Sequence, residues 1–493
     1  MSEQSRLRAG FARLDLQPHI SSKTPFRTPL EAICAVLASG ETTVCLVSVD
    51  LISPPQGEAI RARIGIRLGI PPENVQVHAT HVHSAPWAAR EGAQVLSGLP
   101  EALAAAAARA ASRAVPVAVR AGQRDVGQTL SLCRRGDAGP DLGVQTFWYG
   151  YTFRDGDDRP DASALVNEMR SRWRGQAPEY RAGEHPVWFD GPVDPLVQAL
   201  ELVGDDGAAV GCLVRFSAHP HMADHCNPWR YDADFPGVVR REVERRRGGP
   251  VMFLNGACGD VVPKEHVRYV VDPERVEPLP YAGPCWWLQP AEEAEQLAEI
   301  ERIGQAVAGA ALAALEAQDL DTGRPLRLAA GAFACPVDPH LPRSPREAEL
   351  LQGALAVEYE AARRQGSPLR EMRGLANRLN WCRWAGELGF EHLSDAERAV
   401  GEKRLPLAAV ALGRTVLAFM HSEVMLGTTL ALRRRFPELD VWTMGLTNAD
   451  AGYLPTREMV DEGGYEGRST IFSADAEDVV RGDVTTLIER VFP

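Results

Sequence analysis

Five of the histidines of this chain lie in two short segments, and the spacing of the two histidines in the first segment suits a metal site. In THVHSAP (80–86), His81 and His83 are two residues apart. In extended backbone such a pair would face the same side, and neutral imidazole is the commonest metal ligand. The alternative interpretation is that both are ordinary loop histidines with hydrogen-bond partners of their own. This cluster alone is compatible with either.

The second cluster strengthens the case for a metal. FSAHPHMADH (216–225) contains His219, His221 and His225 directly after another apolar run. A catalytic zinc normally has three protein ligands and keeps one position open for water. A carboxylate is therefore expected elsewhere, and Glu423 supplies one at the end of the apolar run TVLAFMH.

Short apolar runs precede each of these polar clusters and predict the strands that position them. They alternate with amphipathic segments of helical length. The predicted strands include TVCLVSV (43–49), NVQVHA (74–79), AAVGCLVRFSA (208–218), PVMFLN (250–255) and TVLAFMH (415–421). The predicted helices include 57–68, 100–114, 236–247 and 291–317. The pattern predicts an α/β (α+β) fold with mixed central sheets flanked by helices.

No repeat or linker divides the sequence, so we expect a single catalytic domain over residues 1–493. Two stretches are predicted to be ordered insertions over the site: about 136–195, which is rich in Gly, Asp, Pro and aromatic residues, and 264–290, a loop that contains Pro and Trp. Residues 344–400 are predicted to form a helical segment.

Composition excludes several classes of protein. The net charge of -13 opposes binding to nucleic acid or to an anionic membrane surface. Nine cysteines without a CxxC pair indicate reduced core thiols and not a disulfide framework or a thiolate zinc site. No apolar run has the length of a signal peptide or a membrane span, so no membrane anchor and a cytoplasmic location are expected.

Six blocks of sequence, taken in order, resemble the catalytic domain of the neutral (non-lysosomal) ceramidases. They span nearly the whole chain, and as an ordered set they are specific. The blocks are AGFARLDLQP (9–18), THVHSAP (80–86), FSAHP with DADFPG (216–220 and 232–237), FLNGACGDVVP (253–263), HSEVMLG (421–427), and GLTNADAGYLPT with GGYEGRST (445–456 and 463–470). The resemblance implies the ceramidase-type catalytic domain, without the C-terminal Ig-like domain of that family.

The resemblance also implies a set of zinc ligands. The matching positions are His81, His219, Glu423 and Tyr453. Tyrosine is an uncommon ligand that the residues alone do not single out, although a zinc ion would lower the pKa of its phenol far below the free value of about 10. The twelve-residue spacing of Tyr453 and Tyr465 matches that family's spacing between its ligating tyrosine and its catalytic tyrosine.

Three catalytic positions follow from the same resemblance. His83 matches the substrate-facing histidine, and its ordinary pKa of about 6.5 suits proton transfer to a leaving amine. Arg134 and Tyr465 match residues that stabilise an oxyanion, although Cys133 stands where the family has an asparagine beside the arginine. The alternatives are that Arg134 forms a structural ion pair and that Tyr465 is a packed ring.

The leading hypothesis is a zinc-dependent amidohydrolase that cleaves the carbon–nitrogen bond of an N-acyl amine with metal-activated water. The chain departs from the family at Ala85, at KEHVRYVV (264–271) and at the cluster Cys285–Trp287, so we expect a soluble amide and not ceramide. The alternatives are a true ceramidase that acts on N-acylsphingosine and a non-catalytic zinc-binding relative. A serine hydrolase would need a GxSxG elbow, which is absent.

Polar residues beside these blocks have open roles. Asp50, Asp234 and Asp260 could orient the metal-binding imidazoles, or they could cap turns and helices. His221 and His225 are additional to the family pattern, which allows a second metal, but hydrogen-bonding roles are favoured.

Overall fold

The structure is a computed structural model that describes residues 6–55, 57–86, 94–95, 97–137, 144–146, 191–225, 230–266, 269–279, 283–290, 292–323 and 325–492. Its strands, in chain order, are β1 (Arg8–Asp15), β2 (Ile20–Ser21), β3 (Glu31–Ser39), β4 (Thr42–Val49), β5 (Val75–Ala79), β6 (Gln94–Val95), β7 (Val115–Asp125), β8 (Ser131–Cys133), β9 (Arg135–Asp137), β10 (Val144–Thr146), β11 (Leu196–Gly204), β12 (Ala209–Phe216), β13 (Val251–Asn255), β14 (Val261–Pro263), β15 (Tyr269–Leu279), β16 (Gly283–Pro290), β17 (Leu326–Pro336), β18 (Glu402–Leu412), β19 (Thr415–Phe419), β20 (Glu423–Val424), β21 (Asp440–Met444) and β22 (Tyr453–Leu454).

The α-helices, in chain order, are α1 (Gly57–Leu68), α2 (Leu99–Ser112), α3 (Asp234–Arg247), α4 (Glu293–Glu316), α5 (Pro345–Gln365), α6 (Leu369–His392), α7 (Asp395–Val400), α8 (Leu426–Arg435), α9 (Arg457–Glu462) and α10 (Ala476–Val491). In the described part of the chain, no helix is both long and apolar enough to cross a membrane.

Two mixed sheets form the centre of the molecule. The larger has eight strands in the order β13-β12-β11-β7-β1-β3-β4-β5, and the smaller has four in the order β17-β18-β19-β21. Most neighbouring strands are antiparallel, whereas β4 with β5, β12 with β13, and β19 with β21 are parallel. The mixed α/β class predicted from the sequence is confirmed.

Alternating side chains show that the two sheets pack face to face. Ile33 and Leu37 of β3 contribute to one buried cluster together with Val410 of β18 and Phe419 of β19. Since successive side chains of a strand point to opposite faces, residues such as Cys34 of β3 belong instead to the cluster on the outer face of the large sheet.

Helices cover the two outer faces. Helices α1 and α2 pack on the β3–β5 half of the large sheet, and α3 and α4 pack on the β11–β13 half. Helix α10 covers the outer face of the small sheet with Val484, Leu487 and Ile488. The layers therefore run helix, sheet, sheet, helix, and this order leaves the strand ends as the places where polar side chains can meet.

The residues that follow β5, β12 and β19 converge at the carboxyl ends of these strands. Segments that follow β5 and β21 join there, because the Ala79 amide donates to the Leu446 carbonyl at 3.1 Å. The predicted polar clusters follow β5, β12 and β19 at this end. This is the crevice in which α/β proteins commonly place their sites.

The predicted insertions differ in outcome. Residues 264–290, expected as a loop, contain the antiparallel pair β15 and β16. Helices α5, α6 and α7 lie within 344–400. Most of 136–195 lies outside the described residues, and so do the side chains of Cys285–Trp287.

Candidate metal centre

His81 enters the centre from a strained turn after β5. Its backbone is left-handed with φ of 66°, which a non-glycine residue adopts where its surroundings impose it. The His81 amide donates to the Leu51 carbonyl at 3.0 Å, and Nδ1 donates to the Ile52 carbonyl at 2.6 Å. The extended backbone assumed from the sequence is therefore wrong, although the Nε2 atoms of His81 and His83 do lie 3.3 Å apart.

His219 approaches from the end of β12 and meets His81. Its amide donates to the Val261 carbonyl at 2.9 Å, and its Nδ1 donates to the carbonyl of Cys258. A carbonyl only accepts, so in both rings Nδ1 carries the proton and Nε2 presents a lone pair. These two Nε2 atoms are 3.0 Å apart. Two facing lone pairs repel each other unless a cation lies beside both.

Glu423 brings negative charge to the same point. Its Oε2 lies 3.4 Å from Nε2 of His81 and 3.2 Å from Nε2 of His219. Glu423 is 8% exposed, and this oxygen accepts no hydrogen bond from any residue that the structure describes. Such an uncompensated buried oxygen is costly. The preceding residue, Ser422, is also left-handed, with φ of 65°.

The distances fit a tetrahedral metal ion. Zinc binds nitrogen and oxygen ligands at about 2.0–2.1 Å, which places neighbouring ligand atoms of a tetrahedron about 3.3 Å apart. The three distances among His81, His219 and Glu423 are 3.0, 3.2 and 3.4 Å. The Nδ1–carbonyl hydrogen bonds are also the usual way in which a metal-binding imidazole is oriented. The donor set and its orientation therefore fit zinc.

Tyr453 lies beside Glu423. The two residues are paired in the parallel bridge between β20 and β22, which puts their side chains on the same face. Nη2 of Arg134 donates to the Tyr453 hydroxyl oxygen at 3.0 Å, an arrangement that stabilises negative charge on that oxygen. Burial raises the pKa of Tyr453 well above its ordinary value, and Glu423 raises it further, which outweighs the lowering by Arg134. A further cation such as a metal ion would therefore be needed to ionise the phenol.

Cys258 is a member of the centre that sequence reasoning missed. One donor atom from each of His81, His219, Cys258 and Glu423 lies within 4.8 Å of the others. The sequence alone predicts a reduced core thiol for Cys258, as for the other cysteines. Its position directly after β13, in the block FLNGACGDVVP, was the signal that could have found it. Burial raises the pKa of its thiol well above the ordinary value.

Burial and neighbouring charges shift the pKa values of the groups in the centre, in some cases in opposite directions. Burial would raise the pKa of Glu423, but the His81 and His219 imidazoles hold it well below its usual range. Burial, together with Arg134 and His81, lowers the pKa of His219 to about 4. Burial would also lower the pKa of His81, but Glu423 outweighs it and the pKa is raised. At neutral pH the centre therefore offers a carboxylate and a neutral His219 ring.

His83 and Tyr465 form the more accessible side of the centre, and both are half-buried. The His83 ring lies 5.2 Å from the His219 ring, and the Tyr465 ring packs edge-on against Tyr453 at 5.2 Å. Burial and the neighbouring imidazoles lower the pKa of His83. Burial raises the pKa of Tyr465 to about 12. This side of the centre therefore carries a neutral imidazole and a protonated phenol.

Arg134 connects the ligands to the surrounding structure. It donates from Nε to Glu466 at 2.8 Å and from Nη2 to the Gly259 carbonyl at 2.6 Å, besides its bond to Tyr453. The ion pair considered from the sequence is present, and so is the contact with a proposed ligand. The structure thus brings together all seven predicted site residues.

The three aspartates do not orient the imidazoles. Asp50 pairs with Arg240, Asp234 accepts from the Ala223 amide at 2.7 Å, and Asp260 accepts from the Leu426 amide at 2.8 Å. The proposed orienting role is wrong, because carbonyl groups perform it. Carbonyls occur in every residue, so no residue type in the sequence marks them.

The additional histidines do not form a second metal site within the described residues. Nδ1 of His221 lies 3.9 Å from Oε1 of Glu265, and its ring lies 6.2 Å from the His83 ring. The side chain of His225 falls outside the described part. Among the described side chains, the cluster around His81 is the one group of His, Cys, Asp and Glu with metal-ligand spacing.

Known structures identify the architecture. No family model and no curated protein matches this chain. A neutral ceramidase from Pseudomonas aeruginosa superimposes with a TM-score of 0.60 at 16% identity over 99% of this chain and 75% of that chain. The chain has the neutral ceramidase fold. A ceramidase complexed with C2 gives a TM-score of 0.59 at 16% identity, covering 99% of this chain and 76% of its own. The ceramidase fold confirms the resemblance read from the ordered blocks.

Proposed function

We propose that this protein is a zinc-dependent hydrolase of a linear amide bond, with His81, His219, Glu423 and Tyr453 as the metal ligands. The observation that carries the proposal is the convergence, within 3.0–3.4 Å of one another, of two Nε2 lone pairs and one carboxylate oxygen that accepts no hydrogen bond from the described residues. Zinc in such a site supplies Lewis acidity, which polarises a carbonyl and lowers the pKa of water to about 7.

His83 is the residue placed to move protons. It is neutral, half-buried and adjacent to the ligands, with its backbone fixed by a 3.0 Å bond from its amide to the Pro220 carbonyl. A neutral imidazole accepts a proton from the attacking water and delivers it to the nitrogen of the amine as the carbon–nitrogen bond breaks. The products are a carboxylic acid and an amine, so water is consumed and no other reactant is needed.

Arg134 and Tyr465 stabilise the negative oxygen that forms when water adds to the amide carbon. The Arg134 guanidinium is fixed at three points, and the protonated Tyr465 phenol can donate a hydrogen bond. Preorganised donors of this kind contribute about 10²–10³-fold to the rate each.

The surroundings of His83 favour a polar substrate. His221 and Glu265 lie on that side, and Glu265 is an almost fully buried carboxyl whose Oε2 accepts from Gln296 at 3.1 Å. Charged and hydrogen-bonding groups there, together with a net charge of -13, suit a soluble N-acyl amine better than a ceramide at a lipid surface. The occupied ligand and proton-transfer positions favour an enzyme over a non-catalytic relative.

The test is a panel of N-acyl amines incubated with zinc-loaded protein, with acid and amine products quantified by mass spectrometry. The panel should include short N-acyl anilines, N-acyl amino acids and long-chain ceramide in detergent. We expect stoichiometric release of acid and amine from at least one amide, and loss of release after chelation. A zinc-loaded protein that cleaves no amide in the panel would support the non-catalytic alternative and contradict the proposal.

A further inference from the structure

Glu466 is a buried carboxylate that accepts hydrogen bonds from Arg134 and from two of its neighbours, Arg135 and Thr146. It is 0% exposed. Its Oε1 accepts from Nε of Arg134 at 2.8 Å, and its Oε2 accepts from Nη1 of Arg135 at 2.9 Å and from the Thr146 hydroxyl at 2.5 Å. Glu466 touches none of the proposed metal ligands through these bonds. These bonds connect Glu466 to the centre through its neighbours.

Those neighbours lead to both proposed oxyanion stabilisers. Arg134 reaches Tyr453 with the Nη2 end of the guanidinium whose Nε end Glu466 holds. The Thr146 hydroxyl donates to Glu466 and accepts from the Tyr465 amide at 3.2 Å. One carboxylate thus fixes the plane of a guanidinium and, through a single hydroxyl, the backbone that carries the catalytic tyrosine.

We propose that Glu466 is a positioning residue that holds Arg134 and Tyr465 in the geometry needed to stabilise the oxyanion. The inference rests on the proposed function, because it concerns the same transition state. Arg134 and Arg135 are consecutive and both buried, so without a carboxylate between them two guanidinium groups would repel each other. The arginine side chain is long and flexible, whereas its guanidinium is planar. Hydrogen bonds at both Nε and Nη2 therefore fix the direction in which the Arg134 guanidinium points.

Charge at Glu466 is part of this role. Burial would raise its pKa, but Arg134 and Arg135 hold the pKa below its usual range, so the group is ionised at neutral pH. Replacement by glutamine keeps the shape and one acceptor oxygen. It removes the charge and turns an amide NH₂ towards donors that need an acceptor.

Glu462 provides a matched control. Its Oε2 accepts from Nη2 of Arg135 at 2.8 Å, so it shares one arginine with Glu466. The side chain of Glu462 is 36% exposed, and its ion pair is with Arg135. A partly exposed pair of this kind contributes little to stability. Glu462→Gln therefore removes an ion pair from the same network without removing the carboxylate that Arg134 uses.

The experiment compares Glu466→Gln with Glu462→Gln in zinc-loaded protein on an amide found by the substrate panel. We expect Glu466→Gln to lower kcat per bound zinc by about 10- to 100-fold, because a small misplacement of a stabilising group costs that much, with KM unchanged. Glu462→Gln should stay within about threefold of wild type. A crystal structure of Glu466→Gln should show Arg134 displaced from Tyr453, a result that needs no turnover.

A double-mutant cycle separates positioning from general structural support. If Glu466 acts through Arg134, the combined loss in Glu466→Gln with Arg134→Ala will be smaller than the product of the two single losses. Fully multiplicative losses, or an unmoved Arg134 in the crystal structure, would overturn the inference. A lower Tm with unchanged kcat per bound zinc would likewise reduce Glu466 to a structural role.

The outcomes also distinguish this inference from the proposed function. If Arg134→Ala hydrolyses the amide at the wild-type rate, the assignment of Arg134 to the oxyanion is wrong, and the proposed mechanism loses that part. If Arg134→Ala is slow and Glu466→Gln is not, the mechanism stands and the positioning role is contradicted.

Discussion

At the scale of single residues, the account depends on which atoms face the centre. His81→Ala and Glu423→Ala each remove one inward-facing donor, so we expect both variants to lose zinc and amide hydrolysis. His421→Asn is the control, because His421 is a buried histidine two residues before Glu423 that bonds Ser422. It should keep zinc. Full zinc occupancy in both alanine variants, measured by elemental analysis, would refute the ligand assignment.

His83 and Tyr465 are expected to affect chemistry and not metal binding. His83→Ala and Tyr465→Phe should retain zinc but lower kcat by about 10²–10⁴-fold, the usual cost of losing a general acid–base group or an oxyanion donor. Steady-state kinetics normalised to bound zinc measures this. If both variants run within about threefold of wild type, a change far smaller than either effect, neither residue belongs in the mechanism.

Tyr453 and Cys258 compete for the fourth ligand position, and the two can be separated. The bond from Arg134 to the Tyr453 oxygen favours the phenolate. Tyr453→Phe should therefore weaken zinc binding by at least about tenfold, the loss expected from even an indirect partner, whereas Cys258→Ala should bind zinc as wild type does. Competition with a chromophoric chelator measures both affinities. The reverse order would assign the fourth position to Cys258.

At the scale of elements, the strand ends were predictable and the turns after them were not. Apolar runs marked β5, β12 and β19, and the histidines and glutamate that follow them meet as expected. The left-handed positions are occupied by His81 and Ser422 and not by glycine or asparagine, so residue type does not predict these turns. The pairing of β20 with β22, which places Tyr453 beside Glu423, involves strands of two residues each. Such short segments have no periodicity to read.

The start of helix α3 carries a pH-dependent contribution to stability. Burial raises the pKa of Asp234 from 3.8 to about 7. Between these two pKa values the folded state keeps a proton that the unfolded chain has released. The contribution of Asp234 to the free energy of unfolding is therefore fully present below about pH 4 and is lost as the pH rises to about 7. Three pKa units correspond to about 4 kcal/mol.

Asp234→Asn should remove this dependence. Asparagine tolerates the left-handed backbone at this position, where φ is 51°. The Tm of the variant relative to wild type should therefore increase from pH 4 to pH 7. The control is Asp206→Asn, which changes an exposed carboxylate in the turn between β11 and β12. A Tm difference for Asp234→Asn that does not vary with pH would contradict the raised pKa.

At the scale of the whole molecule, ordered sequence blocks predicted the fold although overall identity to the known structures is 16%. Five of the six blocks, all except AGFARLDLQP, contain residues of the candidate metal centre, whose geometry restricts residue type. The Ile52 and Cys258 carbonyls, and the carboxylate of Glu466 behind Arg134, were not predicted. They act through backbone atoms or through contacts more than 300 positions apart in the chain, which the local pattern does not encode.

The substrate is also a property of the whole molecule. We expect kcat/KM to be higher for a short soluble N-acyl amine than for long-chain ceramide in detergent, because polar groups surround His83 and the chain carries a charge of -13. Both substrates should be measured with the same zinc-loaded preparation. A clear preference for ceramide would replace this expectation with ceramidase activity and leave the metal centre unchanged.

The central claim is that one zinc ion held by His81, His219, Glu423 and Tyr453 makes this protein an amide hydrolase. The most direct measurement is a zinc titration of chelated protein, with zinc binding and hydrolysis of a short N-acyl amine followed in the same samples. We predict that both rise together and reach a plateau at about one zinc per chain, the stoichiometry of a mononuclear catalytic site. Full hydrolysis before zinc is added, or no zinc bound at micromolar concentration, would contradict the claim.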